Sequence, residues 1–126
     1  MSFTAASGRV FDTLPIDSAA EFPQRFACVR DGVNYRFTLY VDVPETALGP
    51  IDEIMSLPDG RRFLVVRVDR IAADGSAAPV FLRKVVPSLE YRAGPLTLAF
   101  PSQQVARRNL NGKGEFGTRI VAGVAS

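Results

Sequence analysis

Between Phe26 and Val43 the chain alternates. In FACVRDGVNYRFTLYVDV, the residues Tyr35, Phe37, Leu39 and Val41 occupy every second position, with Arg36, Thr38, Tyr40 and Asp42 between them. A period of two belongs to a strand with one face inward. Asp31–Gly32 divides this stretch into two strands, because that dipeptide suits the tight turn of a hairpin. Pro44 ends the second strand, since proline cannot donate to a sheet ladder. A second hairpin follows in RRFLVVRVDRIAADGSAAPVFLRKVVP, turning at Asp74–Gly75. Phe63 to Val68 is nearly continuous and β-branched, the pattern of a strand covered on both faces. YRAGPLTLAFP adds a turn at Ala93–Gly94–Pro95 and a short strand over 96–100. The inward set expected from these runs is Phe37, Leu39, Val66, Val68, Leu82 and Leu98.

Two other stretches read differently. In ETALGPIDEIMSLPDG, Pro50 followed by Asp52 and Glu53 has the chemistry of a short helix start, and Pro58–Asp59–Gly60 makes a turn. Residues 1–25 show neither a period of 2 nor of 3.6, and Pro15 and Pro23 interrupt them. They read as an extended arm with one short strand. Residues 26–101 form the β domain, and residues 102–126 a glycine-rich C-terminal arm ending in the strand RIVAGV. With five to seven short strands separated by turn signals, the fold class is all-β: a small antiparallel sandwich or barrel, with at most one short helix and extended terminal arms.

The C-terminal arm contains GKGEFG, a literal G-x-G-x-x-G. The dinucleotide fingerprint needs a strand before it, a helix after it and an acid about 20 positions on. Only nine residues follow Gly117, and none is Asp or Glu, so no nucleotide-binding unit fits. Glycines 112, 114 and 117 read instead as freedom for a terminal strand to leave the domain and lie against a neighbour.

Composition narrows the function classes. The chain of 126 residues has 47% hydrophobic and 22% charged residues and a net charge of +2, ordinary for one globular domain. Of the cations, 13 are Arg and 2 are Lys, scattered without a run of like charge. That distribution gives no stripe for nucleic acid. Histidine is absent, which removes the commonest general base and metal ligand. The serines therefore lack an activating imidazole, and the single Cys28, inside the apolar run FACVR, reads as a small core residue. Asp42 and Asp69 lie beside arginines and read as ion pairs. Asp31, Asp59 and Asp74 each precede glycine, where a turn role suffices. No run of about 18 apolar residues marks a membrane span, and the N-terminus lacks the charged start and apolar stretch of a signal peptide. Synthesis in a cytoplasm, without export except inside an assembly, is the expectation. No enzyme, cofactor, metal, nucleic acid, membrane or small-molecule substrate is expected.

Three stretches, FACVRDGVNYRFTLYVDV, VVRVDRIAADGSAAPVFLRKVV and VARRNLNGKGEFGTRIVAGVA, resemble the small baseplate plug-type proteins of contractile-tailed bacteriophages. The resemblance implies a virion structural protein of the tail or baseplate, assembled in the host cytoplasm, with other virion proteins and copies of itself as partners. A capsid decoration protein, or a small soluble binding module such as a phage-encoded inhibitor of a host protein, is the alternative. The partner-binding residues expected are Val10, Phe11, Arg107, Arg108, Asn109, Lys113, Phe116, Arg119 and Ile120. Three acids against Arg9 make residues 1–22 net −2, and four cations against Glu115 make residues 107–119 net +3. Opposite charge on two loose ends suits contacts between chains. Deleting residues 106–126 is then expected to leave the β domain folded and to abolish assembly.

Overall fold

A computed structural model describes residues 1–126. Its strands are β1 (Ser2–Thr4), β2 (Val10–Thr13), β3 (Gln24–Arg30), β4 (Val33–Asp42), β5 (Ile54–Ser56), β6 (Phe63–Ile71), β7 (Ala77–Val85), β8 (Glu90–Ala93), β9 (Leu96–Ala106) and β10 (Arg119–Ala125). Short 3₁₀ turns at Glu45–Ala47 and Arg107–Leu110 are the helical elements. One antiparallel sheet runs β3-β4-β6-β7. The other runs β1-β2-β10-β9, with β8 and β5 sharing the far edge of β9. The two sheets pack as a sandwich, so the all-β expectation holds in its sandwich form.

The turns do what their sequences require. Asp31 and Gly32 both take positive φ, 51° and 77°, as a type I′ hairpin demands. Gly75 and Gly94 supply the positive φ of the next two turns. Along β4 the alternation is realised: Tyr35, Phe37 and Leu39 are buried, and Val41 packs partly buried beside them. They share one buried core with Leu96, Leu98, Phe100, Ala122 and Val124 of the other sheet. Phe26 stacks on Phe37 at 5.3 Å, and Tyr91 meets Phe81 edge-on at 5.8 Å. The Tyr91 hydroxyl accepts from the Val86 N–H at 2.8 Å, so its polar end is satisfied inside an apolar wall.

Five of the six expected core residues are buried, but Leu82 is 60% exposed and Phe81 takes the inward place. A bulge explains the phase. Val68 faces Phe81 whereas Asp69 faces Pro79, leaving Val80 as the extra residue, and the bulge accommodates a proline at a sheet edge. A second bulge lies in β9, where Phe100 and Pro101 together oppose Ala122. This is why the strand runs to Ala106 instead of ending at Phe100. The segment 50–57 is not helical. Met55 and Leu57 are buried while Ile54 and Ser56 are exposed, a period of two that pairs β5 with Gln104–Ala106.

The outer side of β6 is not covered by another layer. Phe63, Val65 and Arg67 are half-buried there, with the Lys84 ammonium 4.4 Å from the Phe63 ring centre. Asp69, on the same outer side, is only 1% exposed. Arg67 donates to both its oxygens at 3.1 Å, and Arg36 approaches at 3.5 Å. The expected ion pairing of Asp69 is therefore present, while Asp42 meets Lys84, at 3.9 Å, rather than an arginine.

The largest correction concerns the ends, which are not arms. β10 lies between β2 and β9 in the interior of its sheet, and β9 runs unbroken across the boundary expected at 101/102. Ile120, Ala122 and Val124 face the main core. Ala125 faces outward, where Phe11, Phe3 and Ala5 cover it together with Ala99. A Cβ at Gly123 would stand 2.6 Å from the Phe11 Cβ and from the Phe3 ring, so only glycine lets the two strands and their aromatic cover meet. Two of the three acids of the N-terminal segment are likewise used at home: Asp12 pairs with Arg30, and the Asp17 carboxylate accepts from the Ala19 N–H at 2.9 Å.

Leu39→Ala is expected to cost about 2–5 kcal/mol and Leu82→Ala less than about 0.5 kcal/mol, read from urea unfolding midpoints. Removing residues 119–126 takes out an interior strand and is expected to leave a chain without cooperative thermal unfolding, the reverse of what an arm would do. A truncated chain that still melts cooperatively would show that β10 is dispensable.

Candidate interaction surfaces

The glycine-rich stretch is organised by one buried amide. Asn109 is fully buried. Its Nδ2 donates to the carbonyls of Gly112 and Gly114 at 3.2 and 3.0 Å, and its Oδ1 accepts from Thr118 Oγ1 at 2.6 Å. Thr118 Oγ1 in turn accepts from the Ala106 N–H at 2.9 Å, and the Asn109 carbonyl accepts from the Phe22 N–H at 2.9 Å. The Gly114 N–H is spent on the Ala19 carbonyl at 2.8 Å, and the Phe116 N–H on Gly114. Two of the G-x-G-x-x-G amides thus turn inward onto the chain. Gly117, at φ 112°, passes so close to Ile54 that a Cβ would lie 2.6 Å from its Cδ1. The loop is a closed structural turn, which corrects its reading as a flexible leader for an outgoing strand.

The nine residues expected to meet partners divide accordingly. Phe11, Asn109 and Ile120 are buried in this chain's own packing. Arg107 is half-buried, and its guanidinium donates to the Gly49 carbonyl. Val10, Arg108, Lys113, Phe116 and Arg119 reach solvent. Val10, on β2, stands apart from the others in sequence and lies at the opposite side of the sheet order from β5.

Two of the exposed residues belong to a built surface. The Arg108 guanidinium lies 5.6 Å from the Phe116 ring centre. Beside them Ile51 and Ile54 are 55% and 45% exposed, and a shallow cleft of about 130 Å³ is lined by Ile51, Asp52, Glu53, Ala106, Arg108 and Phe116. The support beneath is firm. The Glu53 carbonyl accepts from the Arg107 N–H at 2.9 Å, and its carboxylate pairs with Arg62 at 2.9 Å. Arg108 itself forms no ion pair with the chain. The patch therefore combines three exposed apolar side chains with a cation held over an aromatic face. The helix-start reading of this segment did not single out Ile51 or Ile54, which the strand β5 and the turn before it leave exposed.

A second concavity, of about 260 Å³, opens at one end of the sandwich between Phe22, Tyr40, Val43, Leu48 and Leu110, with Arg107 at its side. Its wall mixes apolar side chains with Tyr40, Asn111 and Arg107, and the Arg107 guanidinium already holds Gly49. Burial pushes the Cys28 thiol above its ordinary range, with Arg30 opposing and Asp12 adding to the shift, so the thiol form dominates at neutral pH. Hydrogen bonds from Ser76 hold the Asp74 carboxyl below its ordinary range, as its turn role requires. Comparison with family models, curated proteins and solved structures returned no match.

Asn109→Ala strands two carbonyls and the Thr118 hydroxyl in a dry site and is expected to cost about 1–3 kcal/mol, measured by urea unfolding. An unchanged midpoint would show that water replaces the amide without loss.

Proposed function

We propose that this chain is a non-enzymatic structural subunit of a tailed-phage particle, placed in its tail or baseplate and acting by contact with neighbouring subunits. One observation carries the assembly half of this reading: the Ile51–Ile54–Phe116 patch beneath Arg108. Apolar side chains left in water beside an unpaired guanidinium are the composition of an interface anchor, in which an aromatic or aliphatic group fills a partner's pocket and arginine meets a carboxylate or carbonyl. The particle half is supported by the resemblance of the two hairpins and the C-terminal stretch to baseplate plug-type proteins. Docking here costs little order, because the loop carrying Phe116 is fixed by Asn109 and the strand carrying Ile54 is fixed by β9.

The test is mass spectrometry of particles purified from a producing host, with the wild-type chain compared with Phe116→Asp and Ile51→Asp. Both residues are exposed, so far-UV circular dichroism should not change. Incorporation is expected to fall about tenfold or more, the scale of one lost anchor. Absence of the wild-type chain from particles would overturn the virion reading, and normal incorporation of both variants would overturn the patch.

A further inference from the structure

The sandwich has one sheet edge of seven residues with neither proline nor bulge, and its chemistry is self-complementary. β3 pairs with β4 on one side alone, in register from Gln24↔Leu39 to Arg30↔Val33. The two-residue turn at Asp31–Gly32 fixes the phase of that ladder. Arg30 and Val33, which flank it, exchange both backbone hydrogen bonds, and so does every second pair beyond them. Gln24, Phe26, Cys28 and Arg30 therefore spend their N–H and C=O groups on β4. Arg25, Ala27 and Val29 point theirs outward, and no backbone bond outside the strand ladders uses them. All three side chains are exposed, Val29 at 66%.

The other edges are blunted. β7 carries Pro79 and a bulge beside it, two recognised guards against edge pairing that β3 lacks. β1, β5 and β8 span only three or four residues each. β3 has neither proline nor bulge over its seven residues.

We propose that β3 pairs with β3 of a second copy of this chain, antiparallel about a two-fold axis at Ala27, joining the two four-stranded sheets into one of eight strands. In this register Ala27 faces Ala27, and Arg25 faces Val29 in both directions. The three outward residues of each strand then satisfy one another completely, giving six backbone hydrogen bonds. No like charges oppose. Gln24 faces Arg30, the stem of Arg25 lies along Val29, and Phe26 faces Cys28. A two-fold arrangement closes on itself and leaves no edge for further growth at this site. The pairing is a property of the edge and stands whether or not the chain belongs to a phage particle.

Light scattering after size exclusion, over a range up to high micromolar protein, is expected to give a mass rising toward twice the monomer's 13.7 kDa. A chain that stays monomeric throughout overturns the proposal. Ala27→Pro removes an outward N–H and no bond to β4, so it should melt as wild type and run as a monomer. Ala27→Asp sets two carboxylates face to face and should do the same should proline disturb the strand. A dimer that survives both variants places the contact elsewhere. For register, Ala27→Cys and Val29→Cys are each made in a Cys28→Ala background and oxidised. Position 27 is expected to cross-link between copies, and position 29, four residues from its symmetry mate, is not. Equal cross-linking at both positions overturns the two-fold at Ala27.

Discussion

The close approach of Gly123 to Phe3 and Phe11 is the contact on which the architecture depends. β10 is apolar on both sides, so it needs a cover on each. The main core supplies one. The other is a pair of phenylalanines, stacked at 5.5 Å, brought across from the opposite end of the chain. Because β2 and β9 both pair with β10, the sheet is continuous only when residues 2–13 and 119–125 have met. The joining contacts are thus among the most distant in sequence, a topology that folds slowly relative to one built from hairpins alone. The two hairpins β3–β4 and β6–β7 can form locally, but the sheet that buries their inner faces waits for the last strand.

That division accounts for what was readable in the sequence. The turns at Asp31–Gly32, Asp74–Gly75 and Gly94 are set by local backbone preference, and the alternation from Tyr35 to Val41 by a single buried face. Both signals are contained within a few residues. The misreadings were of non-local things. Pro101 reads as a strand end unless one knows that Ala122 lies opposite and admits a bulge. Leu82 reads as core by simple alternation until Val80 is counted as the extra residue. IDEIMSL carries helix-start chemistry at Pro50, Asp52 and Glu53, and only the free edge of β9 makes it a strand.

The terminal strand shows the same limit from another side. RIVAGV reads correctly as a strand that needs a partner edge, but a sequence cannot say whether the edge belongs to the same chain. Glycines 112, 114 and 117 compounded the error, since glycine serves looseness and tightness alike. Asn109 decides between them here. A buried side-chain amide with two donors and one acceptor all used, on Gly112, Gly114 and Thr118, fixes the loop as firmly as a short ladder would. Of the candidate contact residues, Arg108 and Phe116 were legible as local cation and aromatic. Ile51 and Ile54 were not, because the error about β5 hid the surface they form.

The sandwich is also braced unequally along its two long sides. Beside β7 and β8, Phe81, Tyr91 and Phe100 bridge the sheets, with Arg83 laid over the Tyr91 ring at 5.3 Å. That side is closed by buried aromatic area, which salt does not weaken. Beside β2 and β3, Leu14 and Phe26 pack into the core, and the rim adds a polar contact: Arg30 holds Asp12 and donates to Ser126 Oγ at 3.1 and 3.2 Å. The Asp12 side chain is 60% exposed, so this pair is worth at most about 1 kcal/mol and is screened by salt. The β3 edge, seven residues without proline or bulge, lies on that same side, so a strand added there would extend the sheet beside the rim whose ion pair salt screens.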